Sequence, residues 1–249
     1  MTLTIRCRDL AVGWPGRKLL SGVNDTFSLA ELNHALPIVG RTGRGKSTLL
    51  YALSGMSRPL AGTVAWSLPD EVSWSAEPSV FNSINEVRRR KFGFLLQDAT
   101  MIPCFTVHEN LKHTLRLRNV SADIEERSEK AIEKMLIDGE TVGHFRDLYP
   151  TQLSGGMRQR MALAAAIVHD PQVLFADEPT ASLDDESGLE VLKVVRRWLD
   201  ERPGERAFVF VTHRVETLRA GAGATRMLRL SADKVDGTAV VTVRLHPVQ

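Results

Sequence analysis

Cysteine is nearly missing: Cys7 and Cys104 are the whole complement of a 249-residue chain. Two isolated thiols fit no metal-ligand set and no disulfide framework, and they point to a reducing compartment. Long apolar runs are missing too. The longest candidate, Met161 to Val168, has eight residues, against roughly 20 for a helix that crosses a bilayer. Any membrane role is therefore expected to come through a partner chain. The opening MTLTIRCRDL carries basic residues with no apolar stretch behind them, which argues against a secretory signal. The formal net charge of +2 gives no bulk electrostatic case for nucleic acid or acidic lipid. Internal repeats and low-complexity stretches are absent as well.

What remains is an ordinary globular composition, 43% apolar and 25% charged, in a chain long enough to bury a core without metals or cross-links. Length alone leaves one large α/β domain or two small ones open. The first 65 residues read as short apolar runs broken by turns such as Trp14-Pro15-Gly16. Leu36 to Val39 is an apolar run that stops at Gly40 and passes into a helix from Lys46 through Leu53. Pro37 sits inside that run and disagrees with a central strand, because it removes a ladder donor. Between about 99 and 152 the pattern turns helical, with capping-box spacing at Thr106-Val-His-Glu109 and Ile132, Met135 and Leu136 at helical spacing. Val173–Ala176 and Phe208–Val211 then read as buried parallel strands. Leu189, Leu192, Val195 and Leu199 mark one face of a helix between them, so the connection is a crossover in a parallel sheet. Gly237 to Val243 reads as a further, edge strand.

Gly40-Arg41-Thr42-Gly43-Arg44-Gly45-Lys46-Ser47 matches G-x-x-x-x-G-K-[ST] between a strand and a helix. Glycines there let successive backbone N–H groups turn toward phosphate oxygens, and the helix N-terminus adds its positive end. Lys46 is expected to reach the β- and γ-phosphates and Ser47 to ligate Mg²⁺, with Thr48 completing the loop. Val173 to Ala176 runs into Asp177-Glu178, placing two carboxylates at the C-terminal end of a parallel strand, where ligands of such sheets sit. Asp177 is expected to serve Mg²⁺ through its water shell, and Glu178 to act as general base. Alone, such an acidic pair is more often a helix cap. Leu153-Ser154-Gly155-Gly156-Met157 opens the helix Arg158–Val168 with a hydroxyl cap, a second anion-binding terminus. One chain needs a single cradle per γ-phosphate, so the second makes sense if it serves another subunit's nucleotide.

These elements stand in order with Gln97, Ser182-Leu183-Asp184 and His213, and together they resemble the ABC-transporter nucleotide-binding domains over about residues 3 to 230. The stretches Arg88 to Gln97 and Pro179 to Asp184 are most similar to the macrolide-exporter, lipoprotein-releasing and cell-division ATPases. The resemblance implies roles for matching positions. Gln97 would sense Mg²⁺ and the attacking water and begin the link to a membrane partner. Ser154, Gly155 and Gly156 would close over the other subunit's ATP, and Ser182 to Asp184 would communicate across the dimer. His213 would contact the γ-phosphate, and Trp14 would stack on adenine. Taken singly, Gln97 reads as a surface glutamine, His213 as a structural histidine and Trp14 as turn packing. Arg88 to Lys91 reads as a solvated face or partner contact. The chain departs from the family's pattern at Arg214, where aspartate is common, at Ala165, where arginine is common, and over residues 65 to 87. There Trp66, Trp74 and Phe81 stand as core or as a partner-facing patch.

The expected fold is a single α/β P-loop NTPase domain spanning 1–249. A RecA-like parallel-sheet core and antiparallel β layer would take about 1–97 and 161–230, a helical subdomain about 98–160, and a β tail 231–249. The expected activity is ATP hydrolysis with Mg²⁺ in a homodimer or paired ATPase, driving separate transmembrane permease subunits. The place expected for it is the cytoplasmic face of the inner membrane, with no direct nucleic-acid contact. The alternative is a regulatory ATPase of cell-division type that controls a partner by binding ATP. A soluble ATPase acting on ribosomes or nucleic acid ranks last, since the chain lacks a coiled-coil insert or tandem second domain.

Overall fold

The computed structural model describes residues 3–248, apart from 69–70, 98–100, 138, 216–217, 219–220 and 236–237. Two sheets organise it. The first is antiparallel, built from β1 (Thr4–Trp14), β2 (Arg17–Ser28), β4 (Ala61–Ser67) and β5 (Glu71–Ser75) in the order β2-β1-β4-β5. Its hairpin turns at Pro15-Gly16, where Gly16 takes φ 83, the left-handed backbone that glycine accepts without cost. Halfway along β1 the register slips between Cys7 and Leu10. Asp9 and Asn24 hold that bulge by exchanging two bonds, Asp9 N–H to Asn24 Oδ1 at 2.7 Å and Asn24 Nδ2 to Asp9 Oδ1 at 2.8 Å.

The second sheet orders β10 (Thr238–Pro247), β9 (Arg226–Val235), β3 (Ala35–Gly40), β8 (Ala207–Thr212), β7 (Val173–Asp177) and β6 (Phe92–Leu95). All its pairs are parallel except β9 with β10. Strands β7 and β8 are buried at every residue, as expected for a sheet covered on both faces. The tail strand does lie at the sheet edge, although Gly237 falls outside the described residues. Pro37 is accommodated by strand geometry. His34 C=O accepts from Phe208 N–H, so alternation turns residues 34, 36 and 38 toward β8 and residues 35, 37 and 39 toward β9. The pairing with β9 begins only at Ile38. The donor that Pro37 lacks thus faces a stretch where no ladder has started.

Helix α1 (Lys46–Leu53) lies between the sheets and touches β1, β3, β7 and β8. Around it Trp66, Trp74, Phe92 and Phe175 form an aromatic cluster, with Phe92–Phe175 centroids 5.0 Å and Trp66–Phe175 centroids 5.6 Å apart. Trp66 Nε1 donates to Leu53 C=O at 2.8 Å and Trp74 Nε1 to Ala52 C=O at 2.9 Å. Carbonyls at a helix end lack partners within the helix, and the two indoles supply them. Trp66 and Trp74 are therefore core, while Phe81 is partly buried with the Arg88 guanidinium 5.8 Å from its ring.

On the other face of the parallel sheet pack α4 (Val107–Leu117), α5 (Ile124–Glu133), α6 (Val142–Arg146), α7 (Gly155–Ile167) and α8 (Asp185–Asp200). The Thr106 capping box is formed, with Glu109 N–H on Thr106 Oγ1 and Thr106 N–H on Glu109 Oε2. In α8 the buried stripe is Val191, Leu192, Val195, Trp198 and Leu199, and Leu189 lies only half-buried beside it. The short helices α2 (Pro78–Ser83) and α3 (Asn85–Lys91) precede β6. In α3, Glu86 pairs with both Arg89 and Arg90, and Arg88 Nη1 caps Gly55 C=O at 2.7 Å. The basic run is thus a salt-bridged face. The boundaries expected at 160 and 230 fall inside α7 and β9 rather than between elements.

Candidate active site

β3 ends at Gly40, and the chain turns through Gly43 (φ 78) and Gly45 (φ 86) into α1. Both angles are left-handed, so a side chain at either position would be strained. Gly45 caps α1 without any side-chain hydrogen bond, which leaves the first-turn N–H groups to an external acceptor. Lys46 is 8% exposed, and among the described residues no carboxylate or carbonyl pairs with its ammonium.

Ser47 Oγ donates to Asp177 Oδ1 at 3.0 Å, and Tyr51 OH donates to Asp177 Oδ2 at 2.8 Å. Asp177 closes β7 with 4% exposure, so both its oxygens are fixed before any ligand arrives. Burial and the bond to Asp177 push the Tyr51 phenol up to about 12. Sequence reasoning missed Tyr51, although its place one turn beyond Ser47 puts the two on one helix face.

Glu178 holds φ 52, an unusual backbone for a glutamate that costs on the order of 1–2 kcal/mol. Its N–H is anchored on Val211 C=O at 3.1 Å, and its Oε2 lies 2.5 Å from His213 Nδ1. Local strain of this kind persists where the surroundings impose it, often at reactive positions. The carboxylate is aimed rather than free to follow solvent.

A cavity of about 500 Å³ joins these groups. Trp14, Thr42, Gly43, Gly45, Lys46, Ser47, Thr48, Gln97, Glu178 and His213 all line it, which gathers most of the residues singled out from the sequence. Trp14 stands at its mouth, 52% exposed. Arg17, paired across the hairpin from Trp14, and Leu19 and Ala181 line it without having been foreseen.

The Ser154 segment does not reach this cavity. Ser154 caps α7 by accepting Met157 N–H at 3.3 Å, and Leu153 is buried. Gly155 and Gly156 lie against the start of α8: a Cβ at Gly156 would stand 3.4 Å from Ser187 Oγ, and one at Gly155 3.8 Å from Leu183. Asp184 caps α8, accepting Ser187 N–H at 2.9 Å and Ser187 Oγ at 2.8 Å. These bonds hold its carboxyl below the usual range. Ser182 is exposed and Leu183 buried. Cap and turn thus form one surface patch apart from the cavity.

No three acidic, histidine or cysteine groups among the described residues could hold a metal by themselves. The hard oxygens of Ser47 and Asp177 suit Mg²⁺ arriving with a nucleotide, since that ion keeps waters and phosphate oxygens in its shell. No helix among the described residues is long and apolar enough to cross a membrane.

Strand, phosphate loop, helix and a carboxylate pair on a neighbouring parallel strand define a P-loop nucleoside-triphosphatase. The comparisons with known proteins agree and narrow the class. The family model described as ABC transporter matches residues 24–181. An uncharacterized ABC transporter ATP-binding protein of Thermotoga maritima is 34% identical over 218 residues, 88% of this chain and 86% of the relative. The lipoprotein-releasing system ATP-binding protein LolD of Idiomarina loihiensis is 29% identical, covering 87% of this chain and 95% of its own. Among solved structures, the dimeric post-hydrolysis state of the ATP-binding cassette MJ0796 bound to ADP and Pi superposes with TM-score 0.75. It is 25% identical and covers 98% of this chain and 99% of that one. The chain belongs to the ABC transporter family, as an ATP-binding, ATP-hydrolysing subunit.

Proposed function

We propose that two copies of this chain close head to tail around ATP and Mg²⁺ and so drive separate membrane-embedded subunits, with the chain held peripherally at the cytoplasmic face. The observation that carries this reading is the division of the phosphate-binding parts. Lys46, Ser47, Gln97, Glu178 and His213 share one cavity, whereas the capped helix start at Ser154 does not line it.

In this reading the first-turn N–H groups and Lys46 cradle the β- and γ-phosphates. Mg²⁺, held through Ser47, Asp177 and Gln97, would neutralise charge developing on the phosphate oxygens. His213 Nδ1 holds Glu178 Oε2, which leaves Oε1 to accept the proton of the attacking water. Oxygen then bonds to the γ-phosphorus, the bond to the leaving ADP oxygen breaks, and His213 Nε2 is free to meet the γ-phosphate. Ser154 to Met157 of the second copy would close over the same phosphate. Closure is stabilised only while ATP bridges the copies, and that difference in affinity between open and closed states does the mechanical work.

The test compares wild type with Glu178→Gln by ATPase assay and sedimentation. Mg²⁺-dependent turnover should fall by roughly 10²- to 10⁴-fold in the variant, and an ATP-stabilised dimer should accumulate. A wild-type chain that binds ATP tightly without turnover would favour the regulatory reading. Adenine stacking has its own check: Trp14→Ala should weaken nucleotide affinity roughly tenfold in a fluorescent-nucleotide titration. Unchanged affinity would make Trp14 a turn residue.

A further inference from the structure

Behind the phosphate loop lies a second cavity, of about 580 Å³, which among the described residues shares only Thr42 and His213 with the nucleotide cavity. Arg41, Arg44 and Arg229 converge on it, and among the described residues no acidic one lines it. Among the described residues none of these three guanidinium groups has a hydrogen bond or ion pair. Unpaired guanidinium groups occur elsewhere among the described residues, at Arg116, Arg158 and Arg197 for example, but here three of them meet in one cavity. Arg41 and Arg44 belong to the loop itself, while Arg229 comes from β9, so the cluster is assembled by the fold and not by one run of sequence.

We propose that this basic cavity receives the Asp185–Glu186 turn of a second copy of the chain. The inference rests on the head-to-tail closure described above and adds to it a charged contact that sets its register.

Three observations carry it. The turn begins at the patch that includes the Ser154 cap, since Leu183 and Ser187 stand against Gly155 and Gly156. If that patch faces a γ-phosphate, its neighbours face the surroundings of that phosphate loop, where Arg41 and Arg44 stand. Secondly, the turn presents acid: the Asp185 side chain is 95% exposed, and Glu186 beside it is exposed as well. Thirdly, the turn is braced. Arg214 Nη2 donates to Leu183 C=O at 2.6 Å, and its Nη1 reaches Asp185 Oδ1 at 3.3 Å, so the braced first turn of α8 presents the carboxylates.

A small free anion is the poorer occupant. Arg41 and Arg229 are exposed and Arg44 is half-buried, so the cluster makes no enclosed cage, whereas a protein turn brings two carboxylates on a fixed scaffold. Charge complementarity of this kind fixes register and excludes wrong pairings more than it adds affinity.

The experiment measures the ATP-dependent dimer by sedimentation in the turnover-deficient Glu178→Gln background, with Arg229→Asp, Asp185→Arg and the two combined. The interface is two-fold, so each substitution acts twice. Each single reversal should weaken the dimer by about tenfold or more, and the combined chain should recover to within about threefold of the background. Nucleotide affinity of the monomer should not change. Glu186→Lys serves as a second acidic variant should Asp185→Arg fold poorly. No ATP-dependent dimer in the Glu178→Gln background would overturn the closure reading itself. A normal dimer that ignores the single reversals, or losses that add in the combined chain, would overturn this inference alone. A silent Asp185→Arg together with sulfate binding lost in Arg229→Asp would assign the cavity to a free oxyanion instead.

Discussion

Lys46→Ala should lose ATP affinity by about a hundredfold while its unliganded form melts no lower than wild type. Ionic hydrogen bonds to a phosphate are each worth roughly 1.5–3 kcal/mol, and every 1.4 kcal/mol is about a factor of ten in affinity. The second half of the expectation comes from the burial of the ammonium. With 8% exposure and no partner among the described residues, Lys46 stands in a place where a charge is costly until an anion arrives. Removing it relieves that cost in the empty chain and forfeits the return in the loaded one. Thermal melting with and without ATP checks both halves together. The ATP-dependent rise in Tm should vanish, whereas a large drop in the empty chain would show that Lys46 serves the fold instead.

A change far from the phosphate should cost the most stability. Trp66→Ala is expected to destabilise the chain by about 3–5 kcal/mol and to lower Tm by roughly 10 °C. Trp66 is fully buried, meets the rings of Phe92 and Phe175, and donates its indole N–H to Leu53 C=O. Its loss opens a cavity where the antiparallel sheet, the parallel sheet and α1 meet, and it also orphans a helix-end carbonyl. Trp66→Phe should recover much of the packing but not the hydrogen bond. Denaturant unfolding of the two variants separates these contributions. A cost below about 1 kcal/mol for Trp66→Ala would mean that the cluster relaxes to fill the gap.

The parts of this fold that the sequence made legible are those where one local rule decides. The glycines of the phosphate loop, the hydroxyl caps at Thr106 and Ser154, and the all-apolar strands β7 and β8 each announce themselves within a few residues. What stayed hidden depends on partners distant in the chain. Tyr51 looks like an ordinary helix tyrosine until β7 brings Asp177 to its hydroxyl. Pro37 looks like a fault until the late start of the β9 ladder is known. Trp66 and Trp74 are decided as core only once the last carbonyls of α1 are seen to take their indole N–H groups. Glu178 gives no hint in sequence of its left-handed backbone, because the cause lies in the bond from its N–H to β8. Arg41, Arg44 and Arg229 converge only because β9 runs beside β3.

Helix α1 has a mechanical consequence. Its N-terminus holds the phosphate loop, and its C-terminal carbonyls are pinned by two tryptophans from the antiparallel sheet. Between these ends the sequence KSTLLYAL contains neither glycine nor proline, so eight residues make a stiff rod of about 12 Å with no joint along it. A push at Gly45 is not absorbed on the way. A load placed on Gly45 thus has a continuous route along the helix to Trp66 and Trp74 of the four-stranded sheet.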